Sequence, residues 1–570
     1  MKPLNPLNRL TLSHDIGDTR VPLIEVTIGQ HFEAIAQRYP DREVLVSRHQ
    51  NVRMSYRELD RESNRLASAL LNCGITRGDR VGIWAHNSSE WLLMQIATAK
   101  VGIVLVNINP AYRVTELEYA LNKVGCKMLV TMTAFKTSDY LGIVRELAPE
   151  VDACTPGALD ARRAPLLKTV VQLGTQKVAG MMSFTDLLAK GDVDDPAVDR
   201  LSALLKATDP INIQFTSGTT GFPKGATLTH RNILNNGFFI GEAMKLTEAD
   251  RLCIPVPLYH CFGMVLGNLA ALTHGATIVY PNDGFDPLTV LEAVQAEKCT
   301  VLHGVPTMFI AELAQPRFAE FDLSSLRSGI MAGSPCPIEV MKKVVSDMHM
   351  NEVTIAYGMT ETSPVSCQST TTTPLSKRVS TVGLVQPHLE IKVIDPETRQ
   401  TVAIGATGEF CTKGYSVMHG YWGDDAKTRE AIDSGGWMHT GDLAIMDAEG
   451  YVNIVGRIKD MVIRGGENVY PREIEEFLYQ HPAVSDVQVV GVPDEKYGEE
   501  LCACIILKPG VQASAEDIRA FCTGKIAHYK VPRHVKFVQA FPMTITGKVQ
   551  KFVMRDDMKR QLGLLDIKTA

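Results

Sequence analysis

The 570-residue sequence is poor in several features that would each have pointed to a function class. Its charges nearly cancel, 58 Lys and Arg against 64 Asp and Glu for a net charge of -6, so no basic excess suggests nucleic-acid binding. Its twelve cysteines are scattered, and Cys502 and Cys504 are spaced too closely for a CxxC pair. Neither a zinc site nor a disulfide framework is indicated. The apolar stretch "MVLGNLAALTHGATIVY", residues 264–280, is interrupted by His274 and reads as a buried helix followed by a strand, not as a membrane span. The opening "MKPLNPLNRLTLSHD" lacks the apolar centre of a signal peptide, and its prolines oppose an amphipathic targeting helix. The expectation is a cytoplasmic protein without a transmembrane segment. Internal repeats and low-complexity tracts are absent as well.

What the sequence does contain is a large supply of core residues, 45% hydrophobic, spread over a length that suggests roughly three or four units of common size. From about residue 30 to 360, helical patterns alternate with short β-branched runs: "YRELDRESNRLASALLNCG" then "DRVGIWA", "TELEYALNKVG" then "KMLVTM", "LTVLEAVQAEKC" then "TVLHGV". That alternation predicts α/β layers with largely parallel sheets. After about 375 come short strands and turns, "LEIKVIDPETRQ", "ATGEFCTKG", "GYVNIVGR", which suggest a compact β subdomain. In "GRIKDMVIRGGENVYPREIEEFL" a glycine-rich loop precedes a helix with Pro471 in its first turn, and the strands and helices beyond form a separate α+β unit. The fold class expected is therefore α/β: a large N-terminal domain, residues 1–457 with a β-rich subdomain at about 375–457, and a small α+β C-terminal domain, residues 458–570.

The stretch "FTSGTTGFPKG", residues 215–225, concentrates backbone N–H groups, hydroxyls and one ammonium. Thr216, Ser217, Thr219 and Thr220 supply the hydroxyls, Gly218 and Gly221 the freedom to close the backbone on a ligand, and Lys224 the charge. Such a loop suits an anion, above all a polyphosphate. The phosphate-loop pattern G-x-x-x-x-G-K-[ST] fails, because Pro223 stands where it needs glycine.

Further along come "AGSPCP" (332–337), "AYGMTE" (356–361), "WMHTGD" (437–442), "GRIKD" (456–460) and "PMTITGKVQK" (542–551). This ordered set resembles the adenylate-forming superfamily, which comprises acyl-CoA synthetases, peptide-synthetase adenylation domains and luciferases. The resemblance extends over nearly the whole chain, and the "GRIKDMVIRGGENVYPREIE" block is most similar to short-to-medium-chain fatty-acid CoA ligases. It implies that the 215–225 loop grips the β and γ phosphates of ATP. It further implies that Ala356 and Tyr357, with Gly333, Ser334 and Pro335 as a backbone wall, hold the adenine, and that Thr360 and Glu361 present hard oxygens, Glu361 as the Mg²⁺ ligand. Asp442 would accept both ribose hydroxyls, with Arg457 at the ribose or α-phosphate.

By the same resemblance, Lys548 stabilises the charge that grows when a carboxylate attacks the α-phosphorus. His260, in "PVPLYHCFG", orients the acyl carboxylate and gates its entry, although a lone histidine in an apolar run is more often a satisfied core residue. The implied reaction has two steps, acid plus MgATP to acyl-AMP and pyrophosphate, then attack by coenzyme A with loss of AMP. One cleft then serves two unlike transition states, and the C-terminal unit would pivot at Lys459 so that Lys548 leaves and Gly465 and Gly466 meet the pantetheine arm. Phe262, Leu266, Val305, Met308 and Gly358 are the expected acyl-pocket wall, lined by hydrocarbon.

The basic bias of residues 525–560, nine Lys or Arg against Asp556 and Asp557, could attract the CoA phosphates, although a solvated face explains it as readily. Ligases for aromatic or other acids, enzymes that load a carrier protein, and non-catalytic acyl or nucleotide sensors stay open. A luciferase is disfavoured by Ile463, where such enzymes typically carry lysine. A homo-oligomer is compatible with the sequence.

Overall fold

The structure is a computed structural model that describes residues 10–135, 138–216, 223–334, 336–464, 467–544 and 548–564. Ser217, Gly218, Thr219, Thr220 and Gly221 of the anion loop, Pro335, and Gly465 with Gly466 lie outside the described residues.

Among the described residues two large sheets dominate. In one, eight strands run in the order Met182–Ser183, Thr169–Gln172, Cys126–Thr131, Arg80–Trp84, Val104–Asn107, Pro210–Thr216, Lys224–Thr229, Gly420–Tyr421. Neighbours are parallel as far as Pro210–Thr216, after which the last two pairings are antiparallel. In the other, nine strands run Leu384–Val385, Val365–Gln368, Glu352–Gly358, Ser328–Ala332, Val301–Gly304, Arg251–Cys253, Thr277–Tyr280, Glu43–Ser47, Val52–Ser55, parallel through the centre and antiparallel at both edges.

The alternating pattern predicts these parallel sheets. Its helices begin and end where the chain signals them: Tyr56–Asn72 starts at a capping box formed by Ser55 and Glu58, and Val114–Val124 stops at Gly125, whose φ of 66° suits glycine. The helix Ser89–Val101 is buried on every side except at Glu90. A helix apolar all round belongs between layers. One core cluster indeed joins its Trp91, Met94 and Ile96 to Val81, Leu105 and Met128 of the first sheet and to Leu252, Ile278 and Ile330 of the second. Its Lys100 is fully buried and is neutralised by Asp60 Oδ1 at 2.6 Å.

The predicted β subdomain is an antiparallel sheet of His14–Ile16, Leu389–Ile394, Thr407–Gly414, Met438–Met446 and Val452–Arg457. Two details depart from the sequence reading. The N-terminal residues 14–16 supply an edge strand, and residues 375–385 belong elsewhere, as the helix Leu375–Ser380 and the edge strand Leu384–Val385 of the nine-stranded sheet. Neither a three-residue nor a two-residue strand leaves a periodic signal.

After Arg457 a turn leads into a further sheet of Glu467–Val469, Val462–Arg464, Gly498–Leu507, Val484–Asp494 and His534–Phe537, flanked by the helices Pro471–Leu478, Ala515–Cys522 and Lys551–Gln561. Pro471 occupies the first turn of its helix, as expected. The stretch 264–280 is a helix followed by the strand Thr277–Tyr280, but Phe262–Leu269 is wound with the wider π-type turn. Among the described residues no helix is long and apolar enough to cross a membrane.

Candidate active site

In a parallel sheet all strands end on one edge, and the loops leaving those carboxyl ends converge there. Strand Arg251–Cys253 leads to His260, Val301–Gly304 to Val305 and Met308, and Ser328–Ala332 to Gly333 and Ser334; Ala356 and Tyr357 end the strand Glu352–Gly358. Residues scattered over about a hundred positions of sequence are thereby brought to one place.

The two strands that flank the anion loop belong to the other sheet. Thr216 and Lys224 are register partners in the antiparallel pair that the loop closes, and the Thr216 hydroxyl donates to the Lys224 carbonyl at 3.5 Å. The Lys224 ammonium donates to the Tyr421 hydroxyl at 3.1 Å, and that hydroxyl donates to Glu361 Oε1 at 2.8 Å. Glu361 is 5% exposed, so its charge faces the cleft and not bulk water. Thr360 beside it lies 3.9 Å from the Cys261 thiol.

The antiparallel sheet contributes Asp442 and Arg457, partners in adjacent strands. Asp442 Oδ1 accepts from Arg457 Nε at 3.2 Å and Oδ2 accepts from the Tyr357 hydroxyl at 2.6 Å. Each carboxylate oxygen retains capacity for a ribose hydroxyl, but the group is held from both sides instead of waiting free. Tyr357 is correspondingly more than an aromatic face: its hydroxyl ties it to Asp442, while Phe410 packs edge-on against its ring with centroids 5.2 Å apart. The segment around Asp442 is braced in turn. Glu409 Oε1 accepts the Gly441 N–H at 3.2 Å, and the Thr440 hydroxyl, donating to the Phe410 carbonyl at 2.6 Å, accepts the Asp442 N–H at 3.1 Å.

Lys548 arrives from the C-terminal unit. Its turn is closed by the Thr544 N–H donating to the Lys548 carbonyl at 2.7 Å and the Lys548 N–H donating to the Thr544 hydroxyl at 3.0 Å. Burial, then the positive charge of Arg457, push the ammonium below the ordinary lysine range, while Asp442, Cys261 and Glu361 act in the opposite sense. Of the groups that act on Lys548, Arg457, Asp442 and Glu361 are ones the family resemblance gives to the nucleotide and its metal.

His260 lies in the same field. Burial, with a smaller contribution from Lys548, lowers it to about 3, so the ring is neutral at ordinary pH. Its Nδ1 accepts the Phe262 N–H at 3.1 Å, which leaves the proton on Nε2. A neutral N–H donor suits the orientation of a carboxylate and not its deprotonation.

Phe262, Leu266, Val305 and Met308 are all buried in one core cluster with Met264 and Val265. The widened helix between Phe262 and Leu269 leaves carbonyls to be satisfied by side chains: Gln95 Nε2 donates to the Met264 carbonyl at 3.3 Å, and His303 Nε2 lies 2.9 Å from the Leu266 carbonyl. Ile330 N–H donates to His303 Nδ1, so Nε2 carries that proton.

Gly358 requires a correction. A Cβ built there would lie 1.6 Å from the Pro364 carbonyl oxygen and 2.9 Å from Val365 Cα, so the position faces neighbouring backbone and is no adjustable pocket floor. Lys459 stands in the turn between Arg457 and Val462, and its carbonyl accepts from Arg555 Nη2 at 3.4 Å.

Sequence reasoning missed Tyr421, Phe410, Glu409, Gln95 and His303. The glycine and tyrosine of "GYW" at 420–422 are the one local cue for Tyr421. The others act through sheet register or a helix irregularity and leave no motif.

Sequence models of two families match the chain, AMP-binding enzyme over residues 32–422 and AMP-binding enzyme C-terminal domain over 473–548. The chain belongs to the AMP-binding enzyme family. The adenylate-forming resemblance read from the motifs is thus correct. The Bacillus subtilis (strain 168) protein YngI is 52% identical over 94% of this chain and 97% of its own length. The mitochondrial medium-chain acyl-CoA ligase ACSF2 of Danio rerio is 48% identical over 97% and 92% of the two chains. Among solved structures, the anthranilate CoA ligase AuaEII in complex with anthranoyl-AMP aligns with a TM-score of 0.85 at 27% identity, covering 96% of this chain and 99% of that one.

Proposed function

We propose that this protein is an AMP-forming acid-CoA ligase whose acid is a medium-chain fatty acid. The observation that carries the reading is the position of Lys548, an ammonium held in the field of Asp442, Arg457 and Glu361 at a neutral, Nε2-protonated His260. The hydrocarbon wall of Phe262, Leu266, Val305 and Met308 beside it supports an apolar acyl chain. The names of the ACSF2 relatives point the same way.

In the first step a carboxylate oxygen attacks the α-phosphorus of ATP, forming the acyl–O–P bond and expelling pyrophosphate. No base is needed, because the nucleophile is already ionised, and this leaves His260 Nε2–H free to orient it. Lys548 opposes the charge that accumulates on the phosphoryl oxygens and leaving group. Asp442 and Arg457 fix the ribose, and Lys224 with the loop it anchors receives the outer phosphates. Glu361 and Thr360 offer oxygen ligands of the kind Mg²⁺ takes, and the ion, when bound, would neutralise phosphate charge.

In the second step the CoA sulfur attacks the acyl carbon and AMP departs. Residues 1–457 act as the adenylating body and 458–570 as a lid that turns about Lys459, taking Lys548 out and bringing Gly465 and Gly466 in. The Lys525–Arg560 basic face then meets the CoA phosphates.

The test is a series of straight-chain, aromatic, dicarboxylic and amino acids scored for AMP formation with and without free CoA. CoA-dependent turnover should peak among medium straight chains. A requirement for a carrier protein, or best activity with a dicarboxylic or amino acid, would overturn the assignment.

A further inference from the structure

Tyr421 sits between the two oppositely charged side chains that must both remain available to ATP. Its hydroxyl accepts from the Lys224 ammonium at 3.1 Å and donates to Glu361 Oε1 at 2.8 Å, and Lys224 Nζ also stands 4.2 Å from the centre of its ring. A phenol has one proton to give and lone pairs to receive another, so both bonds form at once only with the hydroxyl protonated.

The backbone fixes this placement. Gly420–Tyr421 is a two-residue strand added to Lys224–Thr229, with Tyr421 opposite Ala226 and the Trp422 N–H donating to the Gly225 carbonyl at 2.8 Å. The Tyr421 N–H is held by the Thr428 hydroxyl at 2.9 Å, and the Met418 N–H donates to the Glu361 carbonyl at 2.9 Å. The segment 418–422 thus stitches the anion-loop strand to the Glu361 turn, and at 5% exposure the tyrosine fills the gap between them.

Without the hydroxyl, an ammonium and a carboxylate facing each other across a poorly hydrated gap would pair directly. That pair would withdraw Lys224 from the outer phosphates and Glu361 from the metal-bearing end of the nucleotide. We propose that Tyr421 is a positioning residue for adenylation, a neutral spacer that keeps Lys224 and Glu361 apart and aimed at the triphosphate of ATP. The inference rests on the ligase reading above. It goes further by predicting discrimination between nucleotides: ATP needs both groups, whereas AMP lacks the phosphates they serve and depends on Tyr357, Asp442 and Arg457.

The test is equilibrium binding of ATP and of AMP to the full chain by calorimetry with magnesium present, for the parent, Tyr421→Phe, Lys224→Ala and the double variant. Phenylalanine keeps the ring and its packing. Tyr421→Phe should weaken ATP about tenfold or more, the scale of a lost hydrogen bond to a charged group, and leave AMP within about twofold. In the Lys224→Ala background, where no ion pair can form, the same change should cost ATP binding about twofold at most. Equal weakening of both nucleotides would mark a merely structural tyrosine, and unchanged ATP binding would remove the role altogether; either result overturns the proposal. Failure of the parent to bind ATP would instead overturn the ligase reading.

Discussion

The parts of the chain before and after residue 460 are built on different terms. Among the described residues every hydrophobic cluster lies wholly on one side: the cores that include Trp91, Trp84, Phe309 and Phe410 use residues 10–454, while those around Val487 and Phe541 use residues 462–564. Across the boundary the Tyr470 side chain bonds to Thr407, and the charges of Arg472 and Glu476 act on Cys336. Within the first part the proposed nucleotide groups lock one another in place, Tyr357 to Asp442 to Arg457 and Lys224 to Tyr421 to Glu361. The second part adds one ammonium to that frame. Separate cores are what relative motion requires, and under the proposed mechanism the frame is the constant of both half-reactions and Lys548 the variable.

The sharpest way to break that comparison is to remove the variable. Lys548→Ala should lower acyl-AMP formation about 10²-fold or more while thioester formation from supplied acyl-AMP stays within a few fold. Measuring the half-reactions separately decides it, and equal loss in both would mean that Lys548 belongs to the frame. Restricting the movement should give the opposite pattern. Lys459→Pro fixes one backbone torsion in the connecting turn and should slow thioester formation about tenfold or more with adenylation little changed. A normal second step would place the pivot elsewhere or make rotation unnecessary.

The two parts also differ in how plainly the sequence announces them. Parallel sheets were legible because alternating helix and strand periods repeat over hundreds of residues, and Pro471 marks a helix start by its fixed torsion. The candidate site residues Lys224, Glu361, Asp442 and Lys548 were legible because each stands in one of the motifs that carry the family resemblance. Tyr421 was not, because its role comes from a two-residue strand pairing with a segment nearly 200 positions away. Gly358 misled for a related reason: a glycine next to a motif reads equally well as an open pocket floor or as backbone pressed on backbone, and only the 1.6 Å approach to the Pro364 carbonyl oxygen separates the two.

That correction can itself be tested inside the frame. Met308→Ala, in the apolar wall, should move the preferred acid to longer chains, since each additional buried methylene is worth about 0.8 kcal/mol, or roughly fourfold in affinity. Gly358→Ala should leave the chain-length profile in place and lower the melting temperature, as overpacking against fixed backbone ordinarily costs about 1–3 kcal/mol. Values of kcat/KM for straight-chain acids, with a thermal melt of each variant, separate the two. A shortened optimum in Gly358→Ala would return that residue to the pocket wall.

The smallest expected effect concerns His260, on which Lys548 of the C-terminal part acts, and it is an effect of pH. Burial has lowered this histidine from the ordinary 6.5 to about 3, and the nearby Lys548 ammonium acts in the same direction. A depressed folded-state pKa means that the folded protein binds the proton less readily than the unfolded chain. The stability that follows is complete above about pH 6.5 and is lost progressively as pH falls toward 3. Over roughly pH 5.5 to 8 the folded ring does not titrate, so it imposes no limb on the rate of adenylation. His260→Asn should therefore scale that rate by a constant factor of a few fold across the range, with the profile keeping its shape. The same variant should lose less stability than the parent on acidification, by at most about 1.4 kcal/mol per pH unit for the single proton concerned. An acid limb present in the parent and absent from His260→Asn would show that the ring titrates near neutrality, and the orienting role of its Nε2–H would give way to a proton-transfer role.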